Sequence, residues 1–166
     1  MKTFIVLGMH RSATSLVSKG IHLAGVEMFQ LNKAISRRSP HGIWEDKNIF
    51  TLNKNILEKA GGSWYDPPEE SDIIEAGKQF APKIKSIVKR RNALGKNWGW
   101  KEPRTTLTIK CYTPYLENPH YIACFRDPVE VAKSLNKRNG FSMEKGIELT
   151  RTYNQRLMEF LKWTYL

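Results

Sequence analysis

The stretch Phe4-Ile5-Val6-Leu7-Gly8-Met9-His10-Arg11-Ser12-Ala13-Thr14-Ser15-Leu16 decides how the rest of the chain is read. Its apolar residues predict a buried strand over about residues 3–7, which runs into a tight loop and then a helix starting near Thr14. A strand, a loop and a helix N-terminus in that order form a phosphate cradle. Backbone N–H groups of residues 11–15 converge on an anion, the hydroxyls of Ser12, Thr14 and Ser15 add donors, and Arg11 adds a fixed positive charge. The same residues also suit a plain strand–turn–helix junction whose Ser and Thr cap the helix. The triphosphate-binding pattern G-x-x-x-x-G-K-S/T needs glycine at 13 and lysine at 14, where this chain has Ala13 and Thr14. The loop is therefore expected to hold phosphate without being an ATP-hydrolysing one.

Outward from this loop, the pattern alternates strands and helices. The first helix presents an apolar face at Leu16, Val17, Gly20, Ile21 and Ala24, and residues 30–44 are polar, basic and irregular. Asp46 can cap a helix with the stripe Ile49, Leu52 and Ile56, stopped by Gly61-Gly62. A rigid aromatic loop, Trp64-Tyr65-Asp66-Pro67-Pro68, precedes a long helical pattern (Ile73, Gly77, Phe80, Ile84, Ile87, Val88) that Pro82 should kink or split. Short strands follow at Trp98-Gly99-Trp100-Lys101 and at Tyr121-Ile122-Ala123-Cys124-Phe125. Pro128 opens a helix over roughly 128–138, and Leu149, Tyr153, Leu157 and Phe160 mark a last one. The expected fold class is α/β: one domain over residues 1–166, three layers, with a parallel β-sheet flanked by helices. The chain stops inside a helical pattern, so further C-terminal elements are expected beyond it.

Composition narrows the partners without choosing among them. The 27 basic residues against 16 acidic ones give +11, a field that attracts a polyanionic small molecule, an acidic polymer or nucleic acid. Cys111 and Cys124 are too few for a disulfide framework and read as reduced thiols, Cys124 within a strand. The apolar run Phe4 to Leu7 is too short for a signal-peptide core or a membrane span, so a cytoplasmic protein is expected. The Lys83, Lys85, Lys89, Arg90 and Arg91 cluster reads as a solvated helix face, and no side-chain cluster suggests a metal.

A second constellation is Arg126-Asp127-Pro128 with Ser134. An arginine at the C-terminal end of a strand lies where open α/β sheets bind ligands. A serine two turns into the next helix can face the same crevice, and a guanidinium with a hydroxyl clamps a second phosphate.

Taken together, the two constellations resemble the sulfotransferase family that uses 3′-phosphoadenylyl sulfate (PAPS), in particular its bacterial-type members. The family's first loop, K/R-S-G-T-S/T, stands here as Arg11-Ser12-Ala13-Thr14-Ser15; its R-x-x-x-x-x-x-x-S motif stands as Arg126 to Ser134; and Gly99-Trp100-Lys101-Glu102-Pro103-Arg104 is similar to its G-x-K-D/E-P-R segment. The resemblance runs from residue 3 to about 138. It implies a P-loop NTPase-like fold and in-line, metal-independent sulfuryl transfer to a hydroxyl or amine, with adenosine 3′,5′-bisphosphate leaving. It implies that Arg11 to Ser15 bind the 5′-phosphosulfate and Arg126 and Ser134 the 3′-phosphate, with Lys101 and Arg104 in the same anionic pocket. Arg11 would also neutralise the leaving phosphate oxygen, and Glu45 would take the acceptor's proton, with His41 as the second candidate base. His10 is placed near the phosphosulfate, and Trp44, Trp64 and Tyr65 can wall an acceptor pocket. The chain departs from the family pattern in Ala13 for glycine, Arg11 for the usual lysine, and the lack of a C-terminal G-x-x-G-x-x-K element. Two other classes stay open on the sequence: a P-loop small-molecule kinase, and a non-catalytic nucleotide- or nucleic-acid-binding protein. The kinase class lacks its loop lysine, and the chain carries no recognised nucleic-acid motif.

Overall fold

The computed structural model describes residues 1–29 and 44–165. Four strands form one parallel sheet: β1 (Thr3–Gly8), β2 (Glu27–Met28), β3 (Trp98–Lys101) and β4 (Pro119–Cys124), in the order β2-β3-β1-β4. In β1 the register sets Val6 opposite Lys101 on one side and Gly8 opposite Cys124 on the other. The helices are α1 (Thr14–Leu23), α2 (Lys47–Lys59), α3 (Glu70–Gln79), α4 (Ala81–Asn92), α5 (Thr105–Thr108), α6 (Pro128–Asn139) and α7 (Met143–Tyr165).

The two-residue alternation of β1 divides the core. Ile5 and Leu7 pack into a large cluster with Ile49, Leu52 and Ile56 of α2, Ile73 of α3, Ile84 of α4 and Leu149, Tyr153, Leu157 and Phe160 of α7. Val6, Val26, Met28 and Cys124 form a smaller one, with Phe4 and with Val17 and Ile21 of α1 against it. Helices therefore cover the sheet on both faces, the expected three-layer α/β arrangement. Each fully buried Ile or Leu in these clusters contributes about 1.5–3 kcal/mol.

Local signals explain most boundaries. Asp46 accepts the N–H groups of Asn48 (2.9 Å) and Ile49 (3.2 Å) and caps α2. The long helical pattern is split at Phe80, with Pro82 in the first turn of α4 where its missing N–H costs nothing. Asp127 caps α6 through the N–H groups of Val129 (2.9 Å) and Glu130 (3.1 Å), and Pro128 is its first residue.

Three expectations need correction. The inward face of α1 is Thr14, Val17, Ser18 and Ile21, whereas Leu16, Gly20 and Ala24 are exposed. The helix crosses β1 so closely that a Cβ on Gly8 would lie 3.1 Å from Thr14 Cγ2, a contact that favours short side chains. Arg91 leaves the solvated face of α4: it is buried, ion-paired with Asp46, and its guanidinium lies 4.2 Å from the Phe29 ring centroid. The last strand ends at Cys124, leaving Phe125 exposed outside it. Both cysteines are free and buried. Among the described residues, no helix is long and apolar enough to cross a membrane.

Candidate functional site

The loops after β1, β3 and β4 leave the C-terminal ends of the parallel strands, and most of the described residues singled out in the sequence gather there. Gly8 makes this possible. Its φ of +150° and the 2.5 Å that would separate a Cβ from the Cys124 carbonyl oxygen exclude a side chain. Its N–H donates to Thr106 Oγ1 at 2.8 Å, which pins the start of the loop to the segment after β3.

Beyond Gly8 the backbone twists twice into the left-handed region, at Arg11 (φ 71°) and at Ala13 (φ 61°). Ala13 is the N-cap of α1, and its carbonyl accepts the N–H groups of Leu16 (3.0 Å) and Val17 (3.2 Å). Thr14 is buried as the first helical residue, and Ser15 is half-buried beside it. The Ser12 hydroxyl and the His10 Nε2 atom are both buried and have no hydrogen-bond partner among the described residues.

The two arginine–serine motifs meet at this loop. Arg11 Nε donates to Ser134 Oγ at 2.7 Å, across 123 residues of sequence. Arg126 Nη1 donates to the Arg11 carbonyl oxygen at 2.9 Å, and its other Nη lies 3.8 Å from Glu130. Arg126 itself is largely exposed. Ser134 thus joins the first loop through the Arg11 side chain, and Arg126 joins it through the Arg11 backbone.

The last residue of β3 and the segment after it supply charge near the loop. Lys101, almost fully buried, pairs with Glu45 at 3.2 Å. Arg104 pairs with the buried Glu102 at 2.5 Å, lies over the Phe50 ring at 4.5 Å, and shares Glu102 with Asn53, which donates at 2.7 Å. Burial pushes the Glu102 carboxyl above its ordinary range, and Arg104 opposes the rise. Burial lowers the Lys101 ammonium, and Glu45 opposes that.

Arg138, on α6, joins this charged cluster and was not singled out from the sequence. Its guanidinium lies 5.5 Å from the Trp64 ring centroid, and burial followed by repulsion from Arg11 lowers its pKa. Ser134 and Arg138 are four residues apart, so they share a helix face, and that spacing was the available signal. Arg11, Lys101, Arg104 and Arg138 set against Glu45 and Glu102 leave an excess of two positive charges, a site that favours an anion.

The aromatic residues fall into two places. Trp64 packs at a tilt against His10 (4.4 Å between centroids) and contacts Tyr65 (5.4 Å) and Phe141 (5.7 Å) at the charged cluster. Trp44 lies against His22 of α1 (5.2 Å) and packs on the smaller core cluster instead. His41 falls outside the described residues. Among the described residues no group of three or more His, Cys, Asp or Glu is placed to hold a metal ion. In comparisons with known proteins, no family model matches the chain, and no curated protein and no solved structure matches it.

Proposed function

We propose that this chain is a PAPS-dependent sulfotransferase with a P-loop-like fold, transferring a sulfuryl group to a hydroxyl or amine acceptor. One observation carries the reading. The Arg11 side chain, in the first phosphate-loop motif, donates to Ser134, in the second, so both sequence motifs border one cationic site. The residues fit the cofactor: Ser12 Oγ and His10 Nε2 are buried with no partner among the described residues, and four cations bear on His10. PAPS supplies an activated sulfuryl group on a good leaving phosphate. The chain's residues supply position and charge, which dominate transfers of this kind. Residues 11–15 offer backbone and hydroxyl donors to the phosphosulfate, and Arg11 bears on the charge that develops at the leaving oxygen. Arg126 and Ser134 are assigned to the 3′-phosphate, and Lys101, Arg104 and Arg138 add to the attractive field. Glu45 holds Lys101 in place by their ion pair.

Calorimetry with adenosine 3′,5′-bisphosphate tests the reading on the wild type, Arg11→Ala and Arg126→Ala. Binding by the wild type that weakens at least tenfold in each variant is expected. Absence of wild-type binding, or binding indifferent to both changes, removes the assignment. Tight binding of ATP with Mg²⁺ and none of the bisphosphate would move the chain to the small-molecule kinases.

A further inference from the structure

His10 and Ser12 are the buried polar groups at this site left unpaired among the described residues, and of the two only His10 can take up a proton. It sits two residues after β1 and one before Arg11, it is 6% exposed, and its Nε2 has no hydrogen-bond partner among the described residues. A buried imidazole nitrogen left unpaired costs about 1–3 kcal/mol, so a residue that served only the core would be better apolar. Packing holds the ring still. Trp64 lies against it at a tilt, with centroids 4.4 Å apart, and Tyr153 of α7 meets it edge-on at 6.5 Å. The charged groups bearing on it come from four segments: Arg11 from its own loop, Lys101 from β3, Arg104 from the turn before α5 and Arg138 from α6. Glu45 and Glu102 are the carboxylates of the same cluster, and each is already paired, with Lys101 and Arg104 respectively.

We propose that His10 is the proton acceptor of this site, and that a bound tetrahedral oxyanion is what makes its imidazole basic. The proposal rests on the sulfuryl-transfer reading for its chemical role but not for its test. In the anion-free protein, burial first, then Arg104, Arg138, Lys101 and Arg11, hold the His10 pKa well below the ordinary histidine value. An oxyanion beside Ser12 and Arg11 replaces uncompensated positive potential with negative charge. A neighbouring opposite charge raises a cationic acid's pKa by about 1–3 units. The empty site therefore carries a neutral, weakly basic imidazole, and the loaded site carries one able to accept a proton. In transfer, the acceptor oxygen bonds to sulfur, the sulfur–oxygen bond to the 5′-phosphate breaks, and the acceptor's proton passes to His10 Nε2. The imidazolium then returns that proton to solvent once the products leave. Glu45 is less suited to the role, because protonating it would strand the buried Lys101 ammonium without its partner.

The test follows the imidazole of His10 by NMR as pH is lowered, with the resonance assigned by its loss in His10→Asn. Three samples are compared: protein without anion, with saturating inorganic sulfate, and with saturating adenosine 3′,5′-bisphosphate. Sulfate carries no titrating proton in this range, so any change belongs to the protein. The expected result is a pKa below that of free histidine without anion, rising by one unit or more with either ligand. Arg138→Gln, which removes one cation, should raise the anion-free value and shrink the response. A His10 that titrates as an ordinary histidine, or does not move with sulfate or the bisphosphate, overturns the proposal. If His10 responds to sulfate while the bisphosphate binds no more tightly than sulfate, the proton coupling stands and the nucleotide reading falls. If the bisphosphate binds tightly and His10 stays unmoved, the cofactor reading stands and His10 is not the acceptor.

Discussion

Ala13 stands where the sulfotransferase pattern has glycine, and it takes a backbone conformation that disfavours it. At φ 61° and ψ 12° it lies in the left-handed region. An L-residue pays about 1–2 kcal/mol there, because Cβ crowds the following carbonyl. Ala13→Gly removes that penalty and, since the residue is exposed, loses almost no packing. Against the gain stands the larger conformational freedom of glycine in the unfolded chain, about 0.4–1 kcal/mol. The net expectation is a stabilisation of about 0.5–1 kcal/mol. In urea unfolding the midpoint should rise by about 0.2–1 M at unchanged slope, and in a thermal scan by about 1–4 °C.

Gly140 provides the reverse experiment in the same molecule. It ends α6 at φ +73°, and a Cβ built there meets nothing within 4 Å. Gly140→Ala therefore pays the same left-handed penalty with no clash, and should lose about 0.5–1 kcal/mol. The pair of variants separates the conformational argument from its scale. If Gly140→Ala destabilises as expected while Ala13→Gly is neutral or destabilising, the strain assigned to Ala13 is refuted.

Three further substitutions probe the frame of the site. Thr106→Val removes the acceptor of the Gly8 N–H and should cost about 1–3 kcal/mol by urea unfolding, since that N–H would be buried unpaired; no loss would show another partner for it. Asp46→Ala removes both the cap of α2 and the partner of the buried Arg91, and should cost about 3–5 kcal/mol. Replacing the pair together, as Asp46→Ala with Arg91→Met, should recover part of that loss; a double variant worse than the single one would refute the stranded-charge explanation. Burial pushes both Cys111 and Cys124 up to about 11. Unfolded thiols ionise near about 8.5, so the unfolded chain sheds these protons first and stability falls as pH rises from there towards the folded values. Urea midpoints measured across that window should decline in the wild type and flatten in a Cys111→Ala, Cys124→Ala variant. A wild-type profile flat from the start would count against the burial of the thiols.

What was legible in the sequence was local chemistry. The strand over Thr3 to Gly8, the cap at Asp46, the split at Pro82 and the opening of α6 at Asp127-Pro128 each rest on a few adjacent residues, whose backbone preferences need no distant partner. What was not legible was set across the fold. The two-residue β2 exists by pairing with Trp98 and Gly99 and has no periodicity of its own. The segment 105–115 is rich in buried threonines, which satisfy Asn53, Trp100 and Gly8 through hydrogen bonds and give no apolar stripe to read. Arg91 looked like its exposed neighbours Lys89 and Arg90 because the carboxylate that draws it inward lies 45 residues earlier.

The site itself divides along the same line, and its charge shows why. The sequence offers 27 basic residues and no means of ranking them. Lys83, Lys85, Lys89 and Arg90 are exposed, where water and salt screen each charge within about 8 Å. Lys101 and Arg104 are buried and act through a poorer dielectric, so each weighs several times more on a ligand than a surface lysine does. Their excess over Glu45 and Glu102 arises only when Arg11 and Arg138 are folded against them, and Arg138 arrives there because it follows Ser134 by one helical turn. The total of +11 therefore does not identify the ligand. On the reading proposed above, what narrows it is the local excess of positive charge beside the buried Ser12 hydroxyl, which a small oxyanion would complement.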